Sequence, residues 1–199
     1  MGLLPYCVVI RVIRLPKLLL YYKPSGEICS HRDDANKGTC FDRLAPLSTG
    51  RWQSVGRLDT ATSGLLLLTT SGSWVHFLTH PKYSMERTYW VKVDGQITLQ
   101  HMLALKRGVQ LSDGIATIDR YDRLNNTADS SSCEITVTEG RNRLIRRLFD
   151  AIDLPVKKLK RLRYGPFTLP AKLSPGQFVE ADQDTLHWLD KVAHRHTKS

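Results

Sequence analysis

The chain has 199 residues, 41% of them hydrophobic and 24% charged, and its 29 basic and 19 acidic side chains give a net charge of +10. A chain of this length can bury a hydrophobic core without a disulfide or a metal, and no uninterrupted apolar run approaches the roughly 20 residues of a membrane span. The four cysteines have no CxxC spacing and are expected to be reduced thiols. These features exclude a membrane-spanning or disulfide-stapled protein and predict a soluble, cytoplasmic one.

The N-terminal stretch is apolar, but Arg11, Arg14 and Lys17 follow its apolar start, whereas a signal peptide places its charges first. Residues 1–16 are predicted to be an irregular segment, either a remnant or a truncated start. One domain is expected over 17–199, because no linker rich in Pro, Gly or Ser divides the chain.

The first regular elements are predicted on either side of residue 70. The run LLLLTT at 65–70 is short and apolar, which predicts a buried strand. Ser73 is expected to cap a short helix within 71–78. Residues 87–95 alternate between apolar and polar side chains, which is typical of a half-buried strand.

Helices and strands remain intermixed in the second half of the chain. Thr98 is expected to cap a helix that ends at Gly108, and a hairpin is predicted about Asp113-Gly114. The remaining predictions are strands at 133–140, 163–169 and 177–181, and helices at 141–152 and 184–193. Because hairpins are more evident than regular βαβ spacing, the sequence favours an α+β domain on a mixed, largely antiparallel sheet.

Positive charge is concentrated between Glu139 and Arg163, where nine Lys or Arg residues face three acids. Such a dense basic patch indicates a phosphate-bearing partner, although a merely solubilising face is the alternative. On a helical wheel Arg143, Arg146 and Arg147 lie opposite the apolar arc, so the three guanidiniums are predicted to point outward together. A phosphate backbone or a carboxylate would relieve their mutual repulsion.

Asp59 stands just before the apolar run, in the sequence GRLDTATSG. It could be a turn residue that accepts hydrogen bonds from backbone N–H groups. It could also be a reactive carboxylate, since partial burial would penalise its charged form and a neighbouring arginine would keep it ionised. Arg57 is too close in sequence to be presumed that partner, and Arg146 is a candidate from a distance.

Five segments, in order, resemble the RsuA/RluB/RluE/RluF-type family of ribosomal RNA pseudouridine synthases. The sequence VGRLDTATSGLLLLTTSG at 55–72 is similar to the family signature GRLDxxTSGLLLLTxDG. The other four segments are YYKPSGE (21–27), RTYWVKVDG (87–95), EGRNRLIRRLF (139–149) and LKRLRYGPFTLP (159–170). Within the family, YYKPSGE, FDRL and RWQSVGRLD are most similar to the RluB branch, which acts on large-subunit rRNA.

The resemblance implies the pseudouridine synthase catalytic fold, an α+β fold with a mixed, mostly antiparallel sheet, flanking helices and a central active-site cleft. It implies that Asp59 is the catalytic carboxylate, that Tyr89 packs against the target base, and that Arg146 pairs with Asp59. It implies no cofactor and no metal. The residues expected to bind the RNA are Arg57, Lys23, Arg141, Asn142, Arg143, Arg147, Lys160 and Arg161.

The implied function is isomerisation of a specific uridine to pseudouridine in ribosomal RNA, with large-subunit (23S) rRNA, free or in an assembly intermediate, as the partner of a monomeric enzyme. The alternatives are a non-catalytic RNA-binding module that keeps the fold and a synthase for small-subunit rRNA. A glycoside hydrolase would need a second positioned acid, for which only Asp94 and Glu139 are candidates. Two departures from the branch are expected: this chain lacks the usual N-terminal S4 domain, and Leu144 replaces a glutamine.

Overall fold

The computed structural model describes residues 15–32, 36–48 and 50–197. The strands within these ranges are β1 Leu18–Lys23, β2 Gln53–Ser54, β3 Thr62–Thr69, β4 Arg87–Asp94, β5 Val109–Leu111, β6 Gly114–Ala116, β7 Arg120–Asn126, β8 Ser130–Val137, β9 Val156–Tyr164, β10 Phe167–Thr168 and β11 Phe178–Glu180. The helices are α1 Gly72–Thr79, α2 Leu99–Arg107, α3 Leu144–Asp150 and α4 Gln183–Thr197, with a 3₁₀ turn at Pro81–Tyr83. None of these helices is long and apolar enough to cross a membrane.

A nine-stranded sheet is the frame of the part of the chain that the structure describes. Its order is β11-β1-β3-β9-β4-β8-β7, with β2 paired to β3 and β10 to β9, while β5 and β6 form a separate hairpin. Every pair in the large sheet is antiparallel except β3 with β9. The predicted α+β class and the mixed, mostly antiparallel sheet are therefore confirmed.

Strand β3 is buried on both sides because helices and loops cover both of its faces. Its four leucines, Leu65 to Leu68, are fully buried. Leu65 and Leu67 pack with Trp74 of α1 and Leu189 of α4, whereas Leu66 and Leu68 pack against Tyr21 on the opposite face. A strand covered in this way reads as an unbroken apolar run, which is why the run at 65–70 predicts it correctly.

The start of β3 pairs with β9 in parallel, and the two backbones approach very closely where Gly64 lies opposite Arg161. Gly64 has a φ of +105°, and a Cβ at this position would lie 2.3 Å from the carbonyl oxygen of Arg161. Only glycine allows both this backbone conformation and this approach. This close approach holds the start of β3, just after Asp59, directly against β9.

The two faces of the sheet are covered by different helices. On the front face, Tyr89 contacts both the core cluster under α2 and α3 and the cluster around Tyr21 and Leu66. On the rear face, α1 and α4 cover β1 and β3. The alternate residues of β4, Trp90 and Lys92, belong to none of the three core clusters. The predicted alternation over 87–95 is thus confirmed.

Several local predictions hold and others are corrected. Thr98 caps α2 and Gly108 ends it, as predicted. The cap of α1 is Ser71 rather than Ser73, because the Ser71 hydroxyl accepts from the N–H of Trp74 at 3.3 Å. Residues 163–169 form a hairpin about Gly165 instead of one strand. The prediction for residues 1–16 falls almost entirely outside the described residues.

Candidate active site

A cleft of about 1050 Å³ opens on the front face, where the loop before β3 meets β4, β9 and the segment leading into α3. Asp59 and Tyr89 line it from opposite elements. Five of the residues predicted to bind RNA also line it: Arg57, Arg141, Asn142, Arg143 and Arg161. Lys23, Arg146, Arg147 and Lys160 are not part of its lining. Four of the predicted site residues therefore lie outside the cleft lining.

The Asp59 segment, defined here as residues 57–62, is held through its backbone. The N–H of Thr62 donates to the carbonyl of Asp59 at 2.9 Å, and the N–H of Gly26 donates to the carbonyl of Thr60 at 2.8 Å. These bonds occupy the main chain and leave the half-buried carboxylate of Asp59 in the cleft wall. Asp59 is thus both of the things its sequence allows, a turn residue and an accessible acid.

Lys23 supports this segment from beneath. Its side chain is 0% exposed, and its ammonium donates to the carbonyls of Pro24 and Thr62 at 3.0 Å each and of Asp59 at 3.4 Å. Burial lowers the pKa of the Lys23 ammonium from its ordinary value. The charge of Lys23 is used inside the protein, on backbone oxygens next to Asp59, and its expected contact with RNA stays a prediction.

A cysteine that the sequence did not single out also touches the Asp59 segment. The N–H of Leu58 donates to the sulfur of Cys29 at 3.4 Å, and Cys29 lines the cleft. A hydrogen bond from the Cys40 thiol is the main cause that lowers the pKa of Cys29 to about 6, and the charges of Lys23 and Arg161 act in the same direction. The eleven-residue separation of these two cysteines carries no sequence signal, so only the fold reveals the pair.

Arg146 enters the protein instead of pointing outward. It is 9% exposed, and its guanidinium donates to the carbonyls of Val156 at 2.9 Å and Ala61 at 3.2 Å. Burial lowers the pKa of Arg146, and the charge of Asp59 partly opposes that shift. Both of these hydrogen bonds go to backbone carbonyls and neither goes to the Asp59 carboxylate. The prediction that Arg143, Arg146 and Arg147 all point outward is wrong for Arg146, because its guanidinium is the donor for these buried carbonyls.

Arg141, which precedes α3, and Arg147, within α3, are bound to an acid of the β5–β6 hairpin. Asp113 accepts from Arg141 at 3.1 Å and from Arg147 at 2.9 Å. The hydrogen bond from Arg147 is the main cause that lowers the pKa of Asp113 to about 2. We call Arg141, Arg143 and Arg147 the arginine rim. Arg143 is exposed, in a left-handed conformation with a φ of 49°.

Arg161 and Lys160 are consecutive, yet they face opposite sides of the sheet. Arg161 is 1% exposed at the floor of the cleft, where its Nε donates to the carbonyl of Leu65 at 2.7 Å. One of its terminal nitrogens has no hydrogen-bond partner. The ammonium of Lys160 lies 5.7 Å from the ring of Trp90, on the rear face. Lys160 is therefore not part of the cleft lining, and its expected contact with RNA stays a prediction.

The residues that the structure describes contain no set of side chains suited to bind a metal ion. No group of three or more His, Cys, Asp or Glu side chains lies within reach of one ion in that part of the chain. The charged and aromatic groups that line the cleft are instead two carboxylates, Asp59 and Glu139, two phenols, Tyr89 and Tyr164, and several guanidiniums. This set can bind a polyanion and place an acid and an aromatic ring beside it.

The fold places Asp59 beside several guanidiniums in one cleft. Residues 17–151 match the model of the family described as RNA pseudouridylate synthase. A solved structure, the crystal structure of pseudouridylate synthase, has a TM-score of 0.75 and 28% identity to this chain, covering 89% of it and 75% of the other chain. The chain belongs to the RNA pseudouridylate synthase family.

Its curated relatives carry a narrower description. The ribosomal large subunit pseudouridine synthase B of Yersinia pestis is 43% identical over 176 residues, which is 88% of this chain and 55% of that protein. The protein of the same name from Vibrio cholerae serotype O1 is 42% identical over 176 residues, with the same coverage. The chain thus spans little more than half the length of these relatives.

Proposed function

We propose that this chain isomerises a specific uridine to pseudouridine in ribosomal RNA, and that this RNA is that of the large subunit. The observation that carries the proposal is the Asp59 segment, whose backbone is held in place while its carboxylate lines a basic cleft opposite Tyr89. The names of the curated relatives support ribosomal RNA as the substrate class and the large subunit as its source.

The reaction needs no second substrate, because uridine and pseudouridine are isomers. The bond between N1 of the base and C1′ of the ribose breaks, the base turns, and C5 joins C1′ while the C5 proton leaves and N1 gains one. Asp59 acts at the reacting nucleotide, and the ring of Tyr89 packs against the base. Extruding the base from its stack costs a few kcal/mol, which contacts within the cleft must offset.

The cations divide into two roles in this proposal. Lys23 and Arg146 are positioning residues, because they donate to backbone carbonyls of and beside the Asp59 segment. Arg57 and Arg143 are exposed in the cleft lining and meet the phosphates of the bound RNA. Arg141 and Arg147 join them when a phosphate competes with Asp113. No step requires a cofactor.

The domain, the location and the oligomeric state belong to the same proposal. Residues 17–199 form one catalytic domain, because a single sheet carries helices on both of its faces and also forms the cleft. The protein works in the cytoplasm. It works as a monomer, because all the groups assigned to the reaction come from one chain. Size-exclusion chromatography with light scattering checks the monomer, and a mass of two chains would contradict it.

The test is Asp59→Asn, which keeps the size of the side chain and removes its charge. We expect it to abolish pseudouridine formation in a large-subunit rRNA fragment while RNA binding stays within about twofold, because the arginines that meet phosphate are unchanged. Asp94→Asn is the matched control, since Asp94 is exposed and pairs with Lys157 outside the cleft. Modification by Asp59→Asn at the wild-type rate would refute the role of Asp59.

The alternatives give different results in the same assay. A non-catalytic RNA-binding module would bind the fragment without forming pseudouridine in either the wild type or the variant. A synthase for small-subunit rRNA would modify a small-subunit fragment and leave the large-subunit fragment unchanged. Both fragments are therefore tested with each protein.

A further inference from the structure

The rear face of β4 and β9 carries a cluster of lysines that no step of the proposed reaction uses. Lys92, Lys158 and Lys160 project from the side of the sheet opposite the cleft. None of them forms an ion pair with an acid among the residues that the structure describes. We call these three lysines and Trp90 the lysine face.

The pairing of the strands sets these charges against each other. Lys92 lies directly opposite Lys158, and Trp90 lies opposite Lys160. Like charges directly opposite on neighbouring strands destabilise a sheet. The nearest carboxylates do not relieve the repulsion, because Asp94 pairs with Lys157 at 2.8 Å and Glu134 with Arg123 at 3.5 Å. An external anion would remove this cost.

The aromatic member of the lysine face narrows the class of that anion. Trp90 is half-buried, belongs to no core cluster and has the ammonium of Lys160 5.7 Å from its ring. Cations that track a backbone beside an aromatic ring are the usual surface for single-stranded nucleic acid. Lys158 and Lys160 are two residues apart on one strand, about 6.6 Å, which is comparable with the separation of successive phosphates.

We propose that the lysine face binds the phosphate backbone of a second, single-stranded segment of the substrate RNA, outside the cleft. This inference rests on the proposed function, because it takes the RNA in the cleft as the molecule that also reaches the rear face. RNA is favoured over an acidic protein because the lysines are regularly spaced beside an aromatic ring. The segment in the cleft supplies the uridine, and the segment on the lysine face adds affinity and selects long substrates.

The experiment compares two RNAs with the same target uridine, a short stem-loop and a long fragment with single-stranded flanks. The variant is K92Q/K158Q/K160Q, and the control is K17Q/K172Q/K191Q, which removes three exposed lysines near β1, β11 and α4 and changes the net charge equally. Dissociation constants are measured over a range of salt concentrations. Thermal unfolding checks that both variants fold.

For the long RNA, we expect the lysine-face variant to bind about tenfold more weakly and its slope of log K against log salt to fall by about 2, since each lost phosphate contact contributes about 0.7. For the stem-loop, binding and the single-turnover rate should match the wild type. Equal losses in the control variant, or no loss with the long RNA, would overturn the proposal. If the wild type binds an added acidic peptide, the lysine-face variant does not, and RNA binding is unchanged, the lysine face would be assigned to a protein partner instead.

The failure of this inference is distinguishable from the failure of the proposed function. The binding measurements need no turnover, so they stand even if neither RNA is modified. If wild-type protein forms pseudouridine in both RNAs at rates that the lysine-face variant reproduces at every RNA concentration, the proposed function stands and the lysine face has no role in RNA binding.

Discussion

The Asp59 segment lines the same cleft as Arg141 and Arg143 of the arginine rim, but the segment and the rim are held in place by different forces. The segment is held by two buried donors, Lys23 beneath it and Arg146 beside it. It is also held by the close approach of Gly64 to β9. The rim is held by exposed ion pairs, of which those to Asp113 are the main example. Buried hydrogen bonds keep geometry, whereas exposed ion pairs contribute little stability and exchange readily. The contrast predicts that damage to the segment affects turnover, and that damage to the rim affects binding.

The largest effect is expected from Lys23→Met, which removes the buried ammonium that donates to three backbone carbonyls. The free energy of unfolding should fall by about 3 kcal/mol, and single-turnover modification at saturating RNA should slow by about 100-fold or more, because the carboxylate of Asp59 loses its position. Urea unfolding and a quenched time course measure the two effects. Lys172→Met, at an exposed position, is the control. A variant that folds and turns over normally would contradict the positioning role.

Gly64→Ala tests whether the Asp59 segment depends on the close approach of β3 to β9. A methyl group would meet the backbone of Arg161 at 2.3 Å, so we expect unfolding to become easier by about 3 kcal/mol. Gly114→Ala is the matched control, since Gly114 has a similar φ of +110° but nothing within 4 Å of a Cβ. The difference between the two losses in the free energy of unfolding measures the contribution of the close approach alone. Equal losses would mean that the backbone strain of a non-glycine residue, and not the contact with Arg161, destabilises the protein.

The reactivity of Cys29 tests the electrostatics beneath the Asp59 segment. Because the thiolate is the nucleophile and its pKa is about 6, alkylation by iodoacetamide should rise with pH through about 6, well below the range of an ordinary thiol. Mass spectrometry of the labelled peptide gives the midpoint. Cys133 is the internal control, since burial raises its pKa to about 12 and should keep it unlabelled. A midpoint above pH 8 for Cys29 would contradict the hydrogen-bonded thiolate.

The smallest effect is expected from Asp113→Asn in the hairpin. Loss of this carboxylate releases Arg141 and Arg147, so RNA should bind about threefold more tightly, with an unchanged single-turnover rate at saturation. Fluorescence anisotropy at several salt concentrations measures the affinity. Asp122→Asn, on the exposed strand β7, is the control. Weaker binding in Asp113→Asn would show that the hairpin positions the rim instead of competing with RNA for it.

The fold was largely predictable because its strands and helices carry strong local patterns. The alternation of β4, the apolar run of β3 and the caps of α2 at Thr98 and Gly108 are each encoded within a few residues. Strand β7 has almost no buried side chains and therefore no pattern to detect. The start of β9 was missed for a different reason, because its lysines resemble a basic surface segment.

The site was predictable where it depends on sequence motifs and not where it depends on side-chain direction. Asp59 and Tyr89 lie in the cleft as expected. Lys23 and Arg146 turn inward because buried carbonyls, which no sequence pattern displays, need donors. Lys160 faces the rear because strand alternation separates it from Arg161. The partnership of Cys29 with Cys40 arises only from the folded loop.

The most direct test of the central claim is a map of pseudouridines in the ribosomal RNA of cells that lack this gene, complemented with either wild-type protein or Asp59→Asn. We predict that one site in the large-subunit RNA loses its pseudouridine in the deletion, regains it with the wild-type protein and does not regain it with Asp59→Asn. An unchanged map in the deletion strain, or full restoration by Asp59→Asn, would contradict the account.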